Sequence, residues 1–140
     1  TGTALDAQVS EQLLRNVFFP KAALHDGAMI IRDGQIAAAG CVLPLSDSQR
    51  LSADLGTRHR AGVGMSEASD AVVVIVSEET GTISVAVGGM LKRHLAPRTL
   101  ERLLRNELCP VEPENDEKNP VQRLKQKITG IGKETERHEK

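Results

Sequence analysis

The chain contains no tryptophan and no tyrosine, and Phe18 and Phe19 are its only aromatic side chains. Single-stranded nucleic acid is usually held by stacking bases on aromatic platforms, so that class of function has little to build on here. An excess of one charge is also missing. Eighteen basic and 19 acidic residues leave a net charge of −1, so no global field draws a polyanion and no nucleic-acid partner is expected. Any anion site must be local. Cysteine is scarce: Cys41 and Cys109 stand far apart in no metal-ligand spacing, and Cys41, set in an apolar run, reads as a small buried hydrophobe. No run of 18 apolar residues is present to cross a bilayer. There is no Walker A loop, since Gly62-Val63-Gly64 lacks the lysine and the spacing. There is also no dinucleotide fingerprint, no Gly-x-Ser-x-Gly elbow and no Cys/His protease arrangement.

What is present is enough for one domain with a real core: 140 residues, 39% of them hydrophobic and mostly aliphatic. Residues 1–7 are short and turn-rich. Ser10 is a candidate N-cap for a helix with Leu13, Leu14, Val17 and Phe18 on one face, ended by Pro20. Ala28-Met29-Ile30-Ile31 predicts a strand, Arg32-Asp33-Gly34-Gln35 a hairpin turn, and Ile36 to Leu43 the return strand. Residues 45–56 read as loop. Arg58 to Ser69 reads as a helix with Ala61, Met65 and Ala68 inward, weakened by Gly62 and Gly64. Ala71 to Val76 is continuously apolar, as in a central strand covered on both faces. Ser77 to Gly81 turns, Thr82 to Val87 alternates as an antiparallel partner, and Gly88-Gly89 turns again. Pro97 opens a helix carrying Leu100, Leu103, Leu104 and Leu108.

The pattern predicts an α+β (mixed α/β) domain over residues 1–109, followed by a polar extension over 110–140. The extension reads as linker or partly disordered, with a short amphipathic helix possible over 121–128.

Three short stretches carry chemistry. His25-Asp26-Gly27-Ala28 puts a hard oxygen ligand beside an imidazole at the mouth of a strand. A glycine follows that would let a ligand approach the backbone. An ordinary Asp-Gly turn, with His25 bonded to backbone, would look the same. Gly56-Thr57-Arg58-His59-Arg60 offers free N–H groups at a helix start, a hydroxyl and two guanidinium forks, all phosphate donors. A solvated basic turn, with His59 as a satisfied core histidine, is the alternative. Ser77-Glu78-Glu79-Thr80-Gly81 follows the strongest strand, where ligands commonly bind. Its carboxylates suit a metal or a ribose hydroxyl, or simply turn solvation, the plainer reading of Glu78 and Glu79 taken singly. Together the set suits a metal-dependent nucleotidyltransferase better than a hydrolase.

In this order, Leu24-His25-Asp26-Gly27-Ala28, Gly56-Thr57-Arg58-His59-Arg60-Ala61 and Ser77-Glu78-Glu79-Thr80-Gly81 resemble the diadenylate cyclase (DAC) domain. Ile36-Ala37-Ala38-Ala39 and Leu43-Pro44-Leu45-Ser46 match as well, and the likeness spans residues 1 to 108. It is nearer to the membrane-anchored bacterial branch than to the DNA-integrity-scanning branch. The resemblance implies a central twisted mixed β-sheet flanked by helices. It also implies a domain here lacking its first helix and strand, and a membrane anchor in an N-terminal region outside this chain, with the domain in the cytoplasm. It implies condensation of two ATP into cyclic di-AMP with release of two pyrophosphates, dependent on Mg2+, Mn2+ or Co2+. Two domains would meet face to face, each holding one ATP.

Carried over by resemblance, Asp26 serves the metal and helps activate the attacking hydroxyl, with His25 as a further metal ligand. Gly27 admits the nucleotide. Thr57, Arg58, His59 and Arg60 bind phosphates, Ser77 and Glu79 line the nucleotide site, and Leu43 meets the adenine. Asp26, Gly27, Arg58, His59 and Arg60 form the catalytic group. The competing expectation is a module that binds ATP or cyclic di-AMP without turnover.

Overall fold

Two antiparallel three-stranded sheets and three helices make up the computed structural model, which describes residues 2–109. The chain runs β1 (Thr3–Gln8), α1 (Glu11–Val17), β2 (Ala28–Arg32), β3 (Gln35–Cys41), α2 (Thr57–Ala68), β4 (Val73–Val76), β5 (Ile83–Val87), β6 (Met90–Leu95) and α3 (Pro97–Leu108). The α+β class is the one the sequence predicts. The single central mixed sheet is not: the strands divide into β1-β3-β2 and β4-β5-β6, each built on hairpins. The polar extension and its short helix lie outside the described residues.

The first sheet centres on β3. Arg32 pairs with Gln35 across Asp33 (φ 53°) and Gly34 (φ 74°). Two successive positive φ values match the right-handed twist of the strands, so the predicted Asp-Gly hairpin forms. Ile36 and Ala39 of β3 are fully buried. The stretch read as turn-rich at the N-terminus is the strand β1, paired with β3 from Thr3↔Ala39 to Gln8↔Gln35. Asp6 (φ 49°) and a register shift between Ala4 and Ala7 break its alternation, which is why period 2 is faint there. Helix α1 opens where expected: the Ser10 Oγ accepts from the Leu13 N–H at 3.1 Å. Only Val17 of its apolar face is buried, while Phe18 and Phe19 are exposed.

The second sheet carries the main core, Val63 of α2 against Ile75 and Ala86, with Leu51, Val73 and Leu91 packed around them. Here the expected inward face of α2 is corrected. Gly62, Val63, Gly64 and Ser66 are buried, Ala61 and Met65 are half-buried, and Ala68 is exposed. A Cβ on Gly62 would stand 2.7 Å from the Ile75 side chain, and one on Gly64 would overlap the carbonyl oxygen of Pro44. The two glycines that weaken α2 as a helix are the surface on which it lies close to β4 and to the Pro44 segment. Ser66 donates to the Val63 carbonyl at 2.7 Å and accepts from the Gly89 N–H at 3.0 Å, so its buried hydroxyl is satisfied.

β4 is corrected too. It lies at the edge of its sheet, with Ile75 buried and Val74 and Val76 exposed on alternate positions; the central, covered strand is β5, with Ser84, Val85 and Ala86 buried. β6 had no counterpart in the reading of the sequence, because four of its six residues are exposed and three of those are Lys92, Arg93 and His94. It returns from β5 through Gly88 and Gly89, both at positive φ, and sets Leu91 and Leu95 inward. α3 begins with Pro97 in its first turn, and its leucines are half-buried.

Candidate nucleotide site

The three chemistry-bearing stretches are far apart in the chain, and the fold brings one residue of each together. Arg58 sits in the first turn of α2. Its Nη2 lies 2.6 Å from Glu78 Oε1 and 3.7 Å from Asp26 Oδ1, and its Nη1 donates to the Val76 carbonyl at 3.4 Å. Asp26 comes from the turn before β2, Glu78 from the turn after β4. The Asp26 carboxylate is 85% exposed, the Glu78 carboxylate 65% and the Arg58 side chain 39%, so the cluster faces solvent and is open to a ligand.

Local structure places each group. A Cβ on Gly27 (φ 153°) would fall 2.8 Å from the Gly40 backbone, so the turn holding Asp26 is seated directly on β3. Glycine at 27 is thus required by the approach of two backbones, a reason distinct from admitting a ligand. The His25 Nδ1 lies 2.7 Å from the Ala22 carbonyl, to which it donates. That bond orients the ring and leaves Nε2 as its acceptor atom. The resulting arrangement serves a turn and also suits a metal ligand.

At α2 the N-cap is Gly56, with no side-chain cap, so the first-turn N–H groups have no side-chain partner. The first turn carries no acidic residue and holds Arg58, His59 and Arg60 in succession. The helix dipole disfavours cations at this end, by about 0.3–1 kcal/mol each when exposed. A sequence selected for stability alone would place Asp or Glu here, whereas an anion-binding site needs the reverse. Thr57 is exposed on the same turn. The Arg60 carbonyl accepts from the Ser46 N–H at 2.9 Å, which ties the segment bearing half-buried Leu43 to the start of α2.

Burial first, then the charges of Arg93 and Arg58, hold the protonation of His59 below the ordinary value near 6.5, with Asp54 opposing. Asp54 in turn is held low, first by a hydrogen bond from Ser52. In the third stretch, the Ser77 N–H donates to the Thr82 carbonyl at 3.0 Å and Gly81 closes the turn onto Ser77 at 2.9 Å. Glu79 is exposed on that turn.

Glu78 and Arg93 are the residues that the sequence did not single out. Glu78 suits a metal, a ribose hydroxyl or, more plainly, turn solvation, and nothing in the order Ser-Glu-Glu distinguishes the carboxylate that meets Arg58. Arg93 lies in a strand whose charged run gave no sign that its charge would act on His59.

Among the described residues no three His, Cys, Asp or Glu side chains are grouped to hold a metal ion. Magnesium commonly takes one or two carboxylates, with substrate phosphates and waters completing its shell. Asp26, open to solvent and beside the Arg58 that opens α2, fits that pattern. No helix among the described residues is long and apolar enough to cross a membrane.

Residues 1–91 match the family model DAC, described as DisA bacterial checkpoint controller nucleotide-binding. The chain is 53% identical over 107 residues to the cyclic di-AMP synthase CdaA of Bacillus subtilis, covering 76% of this chain and 39% of that protein. It is 51% identical over 111 residues to a diadenylate cyclase of Listeria monocytogenes, covering 79% and 41%. The chain therefore spans about two fifths of the length of these relatives. Its fold is similar to a crystal structure of DacA from Staphylococcus aureus, with a TM-score of 0.74 and 56% identity over 76% of this chain and 71% of that one. A hypothetical membrane spanning protein from Bacillus cereus is also similar, with a TM-score of 0.66 and 45% identity over 69% and 47%.

Proposed function

The chain belongs to the DAC family, and from that premise we propose that it is a diadenylate cyclase domain, which condenses two ATP into cyclic di-AMP and two pyrophosphates. The observation that carries this reading is the meeting of Asp26 and Arg58, 3.7 Å apart, from two motifs 32 positions apart in the chain. It puts an exposed carboxylate beside a guanidinium that opens a helix, which are the two halves a phosphoryl transfer needs.

The chemistry asks for positioning and charge neutralisation more than for covalent catalysis. The N–H groups of the first turn of α2, with Thr57, Arg58 and Arg60, receive the triphosphate. Arg58 neutralises charge as it builds on the α-phosphate. Held low in protonation by burial and by Arg93, His59 serves as a neutral hydrogen-bonding group near the phosphates. Asp26 accepts the proton of a ribose 3′-hydroxyl, and Ser77 and Glu79 line the nucleotide from the β4–β5 turn. Leu43, tied to α2 through the next residues, meets the adenine. Asp26, with His25 beside it, would hold a divalent cation, which when bound screens the phosphate charge and polarises the attacked phosphorus. Among the described residues there is a single such cluster, so the second ATP comes from another copy facing it. In the longer protein the domain would lie on the cytoplasmic side of a membrane, reached through a segment preceding this chain.

Incubation with ATP and each of Mg2+, Mn2+ and Co2+, with product identified by mass spectrometry, tests the reading. Cyclic di-AMP with two pyrophosphates per product is expected. ATP bound and left intact under all three metals would favour a binding module.

A further inference from the structure

Glu78 makes the shortest contact Arg58 has, 2.6 Å, and no role in the proposed chemistry calls for it. Resting on the reading above, we propose that Glu78 is a positioning residue: it anchors Arg58 at the end of β4 and holds it off Asp26.

The geometry is specific. The Arg58 guanidinium is fixed at two points, Nη1 on the carbonyl of Val76, the last residue of β4, and Nη2 on Oε1 of Glu78 in the turn that follows. Both anchors lie at the same end of β4, which is paired to β5 by four residue pairs from Val73↔Ala86 to Val76↔Ile83. Five N–H donors sit on a guanidinium, so two anchors leave three for a phosphate. The same Nη2 that meets Glu78 lies 3.7 Å from Asp26 Oδ1, beyond hydrogen-bond distance but within ion-pair reach. Glu78 and Asp26 therefore compete for one nitrogen, and Glu78 holds it. Without Glu78 the remaining anchor is a single 3.4 Å bond to Val76, and the nearest free anion is Asp26. Arg58 would close on Asp26, and both halves of the site would then be spent on each other. The contact with charge on both partners, at 2.6 Å, is stronger than the one to a neutral carbonyl at 3.4 Å, which is why the carboxylate is the controlling anchor.

The test is a double-mutant cycle on binding of a non-reactive ATP analogue, α,β-methylene ATP, without divalent metal so that metal ligation by Asp26 does not enter. Four proteins are measured by calorimetry: the unmodified chain, Glu78→Ala, Asp26→Asn and the double variant. Glu78→Gln, which keeps an acceptor and loses the charge, is added. Glu78→Ala should weaken binding about fivefold, the scale of one exposed charged contact, and Glu78→Gln should fall between. Asp26→Asn should improve binding more in the Glu78→Ala background than in the unmodified chain, because it releases the captured Arg58. A merely structural role for Glu78 would leave the effect of Asp26→Asn the same in both backgrounds. That result, or unchanged binding by Glu78→Ala, overturns the inference. Turnover of ATP by the unmodified chain is assayed beside it. Failure to form cyclic di-AMP contradicts the reading of function while the binding cycle still decides the role of Glu78, and failure of the unmodified chain to bind the analogue without metal overturns the inference about Glu78, which needs Arg58 to hold phosphate on its own.

Discussion

Gly27 and Gly40 meet backbone to backbone: a Cβ on Gly27 would lie 2.8 Å from both the Cα and the carbonyl carbon of Gly40. No side chain can yield at that contact, because both sides are main chain. The φ of 153° at Gly27 adds a conformation that residues with a Cβ rarely adopt. Gly27→Ala should therefore destabilise the chain by about 2–4 kcal/mol, the sum of backbone strain and overpacking. Because the same turn carries Asp26, the variant should also lose activity at temperatures where it remains folded. Denaturant titration followed by an ATP-turnover assay checks both.

A second contact reverses an expectation from helix propensity. Gly to Ala inside a helix normally gains about 1 kcal/mol. At Gly64 the new methyl would overlap the Pro44 carbonyl oxygen, which is main chain and cannot rotate away. Gly64→Ala should lower the thermal midpoint, with a net cost of about 1–3 kcal/mol. At Gly62 the methyl meets the flexible end of Ile75 instead, so Gly62→Ala should cost clearly less. Parallel melts of the two variants measure the difference.

These glycines show what the sequence could and could not say. The hairpin at Asp33-Gly34, the Ser10 cap, Pro97 at a helix start and the β4–β5 pair were legible, because each rests on local chemistry that acts within a few residues. Gly62 and Gly64 show in the sequence only as weak helix formers, because their use depends on what packs against α2. β6 was missed because an exposed strand with Lys92, Arg93 and His94 shows no alternation strong enough to read. β4 reads as a central strand because a run of valines is the same whether neighbours flank it on one side or two. In the candidate site, the motifs contain Asp26 and Arg58, which the fold brings within 3.7 Å. Neither motif could show that Arg58 is held by Glu78, since that is a matter of distance across the fold.

His59 predicts a pH dependence of stability. Its protonation in the folded chain lies below the ordinary value near 6.5, chiefly through burial and then through Arg93 and Arg58. The unfolded chain therefore binds more protons as pH falls through that value, and stability declines with it. Above 6.5 both states hold neutral His59 and the contribution vanishes; it grows as pH falls from 6.5 through the lowered folded value. Denaturation midpoints at pH 7.5 and 5.5 should show a smaller drop for His59→Gln than for the unmodified chain. An equal drop in both would assign the dependence to other groups.

The claim that Asp26 and Arg58 form one catalytic centre is tested most directly by cyclic di-AMP production from ATP in Asp26→Asn, measured by mass spectrometry beside the unmodified chain with divalent metal present. Asn keeps the size of the side chain and an acceptor oxygen, and the Asp26 carboxylate is 85% exposed, so circular dichroism and the melting midpoint should stay unchanged. Product from the unmodified chain is expected, with a loss of at least about a hundredfold in the variant, the scale of removing a general base. Product formed at the full rate by Asp26→Asn, with the fold intact, would contradict it.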